Sequence, residues 1–132
     1  MHHDRTVKVA KTFQETVETV RRALADQGFG ILTEIDVQAT LEAKLGHDME
    51  PYLILGACNP QLARRALDAD RSIGLLLPCN VVVRADGDQV IVQAIDPATM
   101  VTLTGVDAMA PVADEAARRL DAALATVAEG GT

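Results

Sequence analysis

Tryptophan is absent from this chain, and 132 residues carry only three aromatic rings, Phe13, Phe29 and Tyr52. Its core must therefore be assembled from Val, Ile, Leu and a great deal of Ala. Positive charge is short too: twelve Lys and Arg face nineteen Asp and Glu, a net charge of −7. Single-stranded nucleic acid is bound by a basic groove set with stacking rings. Neither is available, so nucleic acid is not an expected partner. No apolar run approaches the roughly 18 residues of a membrane span, and no membrane partner is expected. Met1-His2-His3-Asp4-Arg5 lacks the apolar segment of a secretory signal. The expected compartment is cytoplasmic, with Cys58 and Cys79 as reduced thiols.

Catalytic signatures are missing as well. The one serine, Ser72, sits in Arg-Ser-Ile with no nucleophile elbow around it. There is no Walker loop, no His-Glu-x-x-His and no CxxC. Gly28-Phe29-Gly30 imitates a dinucleotide fingerprint, but these glycines end a helix and lead into a strand, and Thr33 stands at the third position. A non-enzyme is favoured, no catalytic or metal-ligating residue is assigned, and nothing identifies a cofactor. His2 and His3, native or introduced, lack further nearby ligands for a metal.

What is present reads as one domain over residues 1–132, long enough to bury a core. Thr6–Ala10 alternates as a first strand with Val7 and Val9 inward. Thr12 and Glu15 form a capping box that opens a helix carrying Phe13, Val17, Val20 and Leu24 on one face. Gly28 stops it, and Phe29 folds back on Leu24. Ile31–Ile35 is a second strand, with Ile31, Thr33 and Ile35 on one face. Asp36 then caps a short helix striped by Val37, Leu41 and Leu45 and ended by Gly46.

The chain is organised around Pro51–Val83. Tyr52–Cys58 suits a central strand buried on both faces. Asn59 caps the following helix, with Pro60 at its first position. Ile73–Leu77 is a second apolar run, broken by Pro78 and resumed as Val81-Val82-Val83, so that Pro78 marks an edge, a bulge or a turn between strand pieces. Asp86-Gly87-Asp88 turns that strand into Gln89–Ile95. Asp96-Pro97 opens a helical turn through Met100 that Gly105 breaks. A long final helix, about 109–128, presents Met109, Val112, Ala116, Leu120, Ala123 and Val127 on one stripe.

The candidate site gathers on this central block. Cys58 immediately precedes a helix start, where the dipole lowers a thiol's pKa. Cys79 follows Pro78 at a break in the apolar run, and neighbouring strands would bring both thiols to one end of the sheet. The competing reading is that both cysteines simply fill space. His47, flanked by acidic residues, is either a solvated loop histidine or a ligand leaning towards the cysteines. The candidates for ligand binding or reactivity are therefore Cys58, Asn59, Pro78, Cys79 and His47.

These residues resemble the domain of unknown function 302 family of small bacterial and archaeal proteins. The likeness runs from Gln27-Gly28-Phe29-Gly30-Ile31-Leu32-Thr33 through Ile35-Asp36-Val37 and Leu41–Gly46. It continues in Tyr52–Pro60, which holds Ala-Cys-Asn-Pro, and in Ile73–Val83, which holds Leu-Pro-Cys. It covers about residues 5–96, while the C-terminal helix matches in general character only. The resemblance implies a compact α+β domain that self-associates, and it implies no activity. The expected fold is a mostly antiparallel sheet of about five strands, with the first and last helices packed on one face. The expected function is a homodimeric ligand- or partner-binding accessory protein. The alternative is a thiol-based redox or metal-handling protein using Cys58 and Cys79.

Overall fold

The computed structural model describes residues 4–130, so His2, His3 and Gly131 lie outside the described residues. The first helix forms as its local signals dictate. α1 (Phe13–Asp26) starts at a Thr12–Glu15 capping box in which both reciprocal contacts are present. It ends in a Schellman motif: Gly28 N–H donates to the Ala25 carbonyl and Phe29 N–H to the Leu24 carbonyl, each at 2.9 Å. Gly28 takes φ +83°, which only glycine adopts readily.

Five strands form one sheet: β1 (Asp4–Val9), β2 (Gly30–Asp36), β3 (Tyr52–Cys58), β4 (Cys79–Asp86) and β5 (Gln89–Ile95). Their order is β1-β5-β4-β3-β2, and every neighbouring pair is antiparallel. Between them run α2 (Val37–Leu45), α3 (Pro60–Ala69) and α4 (Ala98–Thr104), and the chain closes with α5 (Ala110–Ala128). α1 and α5 pack against each other and onto one face of the sheet. The chain is thus a single α+β domain with a five-stranded antiparallel sheet.

The main core lies between that helix pair and the sheet. It joins Val20 and Leu24 of α1, Leu55 and Ala57 of β3, Val81 and Val83 of β4 and Leu120 and Leu124 of α5. Every member of the predicted α5 stripe, Met109 included, is buried. A second, smaller core that sequence periodicity does not reveal lies beside the first. Leu62 and Ala66 of α3, Ile73, Met100 of α4, Met109 and the first turns of α5 build it.

Three expectations change. Ile73–Leu77 is not a strand piece, because Arg71–Leu76 winds as a 3-10 helix whose start is capped by the Asp70 carboxylate on Ser72 N–H at 2.9 Å. Only Ile73 of that helix is buried, and Leu75 is 88% exposed. Secondly, Ile31 does not share a face with Thr33 and Ile35. Ile31 pairs with Ala57 and Thr33 with the adjacent Gly56, so a bulge at Leu32 turns the strand over. Thirdly, β4 is the central strand, and β3 is fully buried on one face and, apart from Gly56, only partly on the other. Leu53, Leu55 and Ala57 face the core, while Tyr52, Ile54 and Cys58 are half-buried.

The second sheet face carries no helix pair. Towards β1 it is polar: Arg84 Nε donates to Gln93 Oε1 at 3.2 Å, and Gln93 Nε2 donates to Thr6 Oγ1 at 3.3 Å. Towards the β2 edge it turns apolar through Val82, Ile54 and Ile35, which lie in register across three strands. α2 beside it buries none of its residues.

Candidate functional site

The predicted site residues come from three consecutive devices in the chain. β3 ends at Cys58, Asn59 caps α3, and Pro78 leads into Cys79, the first residue of β4. Asn59 is 8% exposed, and its Oδ1 accepts from the Gln61 and Leu62 amides at 3.1 Å each. Pro60 has no N–H to satisfy, and the Ala63 amide donates to the Asn59 carbonyl at 2.8 Å. The first turn of α3 is therefore fully capped by one residue. Pro78 follows a cis peptide bond and lies over Gly56, where any Cβ would stand 2.7 Å from its ring.

Cys58, Asn59 and Cys79 border a cavity of about 30 Å³, whose wall Phe29, Leu62 and Met100 help complete. That volume suits a water molecule and no metabolite. The strand register places Ala57, not Cys58, opposite Cys79. The two thiols are offset instead of paired, and both cysteines are free.

Burial sets their chemistry. It raises the Cys58 thiol, the opposite of what the dipole at a helix start does to a thiol. The reason is local: Asn59 already occupies the amides that would have met a thiolate. Burial, and secondarily the charge of Cys58, pushes Cys79 up to about 11. Neither thiol is activated at neutral pH, since the thiolate is the reactive form. His47 does not join them. It is exposed in the loop before β3, while Cys58 ends that strand, about 20 Å away at the usual rise per residue. Among the described residues no group of three or more His, Cys, Asp or Glu is placed to hold a metal ion. No helix among them is long and apolar enough to cross a membrane.

Arg119 and Gly28, which sequence reasoning passed over as functional residues, stand beside this cluster. Arg119 Nη1 donates to the Gln27 carbonyl at 3.1 Å, and Nε donates to Glu115 at 3.0 Å. Gly28, Asn59, Pro60, Gln61 and Arg119 together line an open cleft of about 390 Å³. No local signal marks Arg119, because its partner Gln27 is 92 residues away in sequence.

The fold and this site define a small α+β domain whose end-of-sheet cluster is built from caps, packed thiols and a flanking arginine. Residues 5–127 match the family described as Domain of unknown function DUF302, and the chain belongs to that family. The match extends past the resemblance read from sequence and takes in nearly all of α5. The crystal structure of an uncharacterized conserved DUF302 protein from Bacillus stearothermophilus shares the fold, with a TM-score of 0.87 at 32% identity. The similarity covers 95% of this chain and 98% of that one. No curated protein matches the chain.

Proposed function

We propose that this chain is a small cytoplasmic binding domain that works as a homodimer and takes a ligand or partner at the end of the sheet around Asn59, Pro78 and Cys79. The observation that supports it is the apolar strip along the β2 edge. Leu32 is 67% exposed, Ile35 48% and, on the adjoining α2, Leu45 74%. A monomer rarely leaves such a strip beside an open strand edge, which is itself a template for pairing. A second copy is the occupant that fits, because a two-fold axis sets the same strip against itself. Light scattering after gel filtration should return twice the 14.0 kDa chain mass. The double replacement Leu32→Asp with Ile35→Lys should run as a folded monomer, since both side chains are solvent-facing. A wild-type chain that stays monomeric at tens of micromolar would end the dimer reading.

The alternative is thiol chemistry at Cys58 and Cys79, and the raised thiols weigh against it. Thiolate forms only as pH climbs towards a raised pKa, so Cys79 should alkylate slowly at pH 7 to 8 and accelerate only towards about 11. Cys58, half-buried, should label faster at every pH. Peptide mass spectrometry of the labelled chain reads both rates. Rapid labelling of Cys79 at neutral pH would restore the thiol reading.

A further inference from the structure

Asn59 uses only half of its side chain as a cap. Its Oδ1 accepts two hydrogen bonds, whereas its Nδ2 has no hydrogen-bond partner among the described residues, although the residue is more than nine-tenths buried. The one buried side-chain polar atom without a partner among the described residues is Thr99 Oγ1, so Asn59 Nδ2 is not sealed in the core but opens onto the cleft beside it, free to meet an acceptor there. Nδ2 stands 2.9 Å, and Arg119 Nη1 3.0 Å, from the point where a Gly28 side chain would begin. The two donors thus converge on one wall of the cleft that Gly28, Asn59, Pro60, Gln61 and Arg119 line. Gly28 is the residue that lets them approach so closely, since any side chain there would push into both.

The charge is of one sign. A guanidinium has five N–H groups, and Arg119 spends two, on Glu115 and on the Gln27 carbonyl. Three remain for the cleft. Glu115 is shared between Arg118 and Arg119, so this trio keeps one net positive charge in a chain of net −7. The N-terminal end of α3, ten residues long, adds its positive dipole end to the same side. Asn59 Nδ2 and the Arg119 guanidinium thus set donors and positive potential on one wall of this space, where an acceptor would complete them.

We infer that the cleft between Gly28, Asn59 and Arg119 is an oxyanion site, taking the phosphate or carboxylate group of a small molecule. This assignment rests on the ligand half of the binding reading and does not depend on the dimer. Asn59 Nδ2 and the free Arg119 N–H groups hold the ligand oxygens, and Gln61, exposed at the rim, offers a further amide. The α3 backbone amides do not take part, because Asn59 Oδ1 already occupies them.

Titration of the ¹⁵N-labelled full chain tests it, with inorganic phosphate and acetate as separate probes and sodium chloride at matched ionic strength as the reference. Phosphate should give saturable shifts at the Gly28 and Gln61 amides and at Arg119 Nε, with acetate weaker at the same sites. Phosphate and acetate binding with similar affinity would keep the site and make a carboxylate as good a ligand as a phosphate. Asn59→Asp separates binding from folding: aspartate keeps the capping oxygen, so the melting temperature should hold, but it replaces the donor with a carboxylate. Phosphate affinity should fall at least tenfold in that variant, and also in Arg119→Gln. Shifts no larger than those in sodium chloride, or an Asn59→Asp chain that binds phosphate as the wild type does, would overturn the oxyanion site. Saturable shifts at Cys79 and Asn80 instead would overturn it while leaving the broader ligand reading in place.

Discussion

Replacing Gly56 with alanine is expected to destabilise the protein by about 3 kcal/mol, at the upper end of what overpacking a core position usually costs. Gly56 lies in β3 on the face opposite the main core, with Thr33 of β2 beside it and Pro78 above. A Cβ there would overlap the Thr33 hydroxyl and stand 2.7 Å from Pro78 Cγ. Thr33 can rotate its hydroxyl away, but a β-branched side chain always points a second heavy atom somewhere nearby. The Pro78 ring has no rotation to offer. Relief must then come from the backbone, by parting β2 from β3 or by lifting Pro78 and Cys79 off the sheet. Urea unfolding at fixed temperature reads the loss. Thr33→Ala combined with Gly56→Ala should recover part of it, because one of the two obstacles is gone. A Gly56→Ala chain within about 0.5 kcal/mol of wild type, the range of an ordinary surface change, would show that the contact is soft.

Ile73→Ala should cost about 3 kcal/mol as well, for the opposite reason. It is fully buried in the second core, and it is the only buried residue of the 3-10 helix Arg71–Leu76. Removing it leaves a cavity against Leu62, Ala66, Met100 and Met109, and truncations of this kind cost about 2–5 kcal/mol. The loss should also be local. With its one anchor gone, the segment should open on its own, so the amides of Ile73 and Leu77 should exchange faster while those of β4 and β5 keep their protection. Leu75→Ala, at an exposed neighbour in the same apolar run, should change neither stability nor exchange. Uniform loss of protection across the sheet in Ile73→Ala would show that the two cores melt as one unit.

The contrast between Ile73 and Leu75 shows where sequence reading works in this fold and where it stops. α1 is legible because its start and its end are written in neighbouring residues: Thr12 with Glu15, and Gly28 with Phe29. α5 is legible because its period holds for five turns. The β4–β5 hairpin is legible because Gly87, at φ +62°, sits in a two-residue turn between alternating strands. The run Ile73–Leu77 is too short for its period to be read, so a 3-10 turn and a strand look alike there. The bulge at Leu32 shows only in the pairing of Ile31 with Ala57 and of Thr33 with Gly56, which no pattern within β2 reveals. The site divides in the same way. Asn59 is visible as a cap, but its unpartnered amide and its arginine neighbour depend on α5 packing back across the sheet end. For the thiols, the sequence offers a helix start after Cys58 and a break before Cys79 beside a plain packing role, and the burial that raises both is a property of the packed core.

Strand β1 carries a consequence for the order in which the chain can be completed. It precedes the other four strands, yet among the described residues its only strand partner is β5, with Asp4 opposite Ile95 and Val9 opposite Val90. During synthesis its hydrogen-bonding groups must wait while more than eighty residues emerge. β2, β3 and β4 meet their neighbours far sooner. A strand that waits unpaired is an aggregation hazard unless its sequence discourages self-pairing. In β1 Lys8 separates Val7 from Val9 and Arg5 stands two residues before them, so two positive charges sit on the waiting strand. Arg5 later binds Asp96 at 2.7 Å and also Asp121 of α5, two carboxylates that do not exist until the rest of the domain does. One of the charges that protect the newborn strand, Arg5, thus also ties it in place once the sheet is closed.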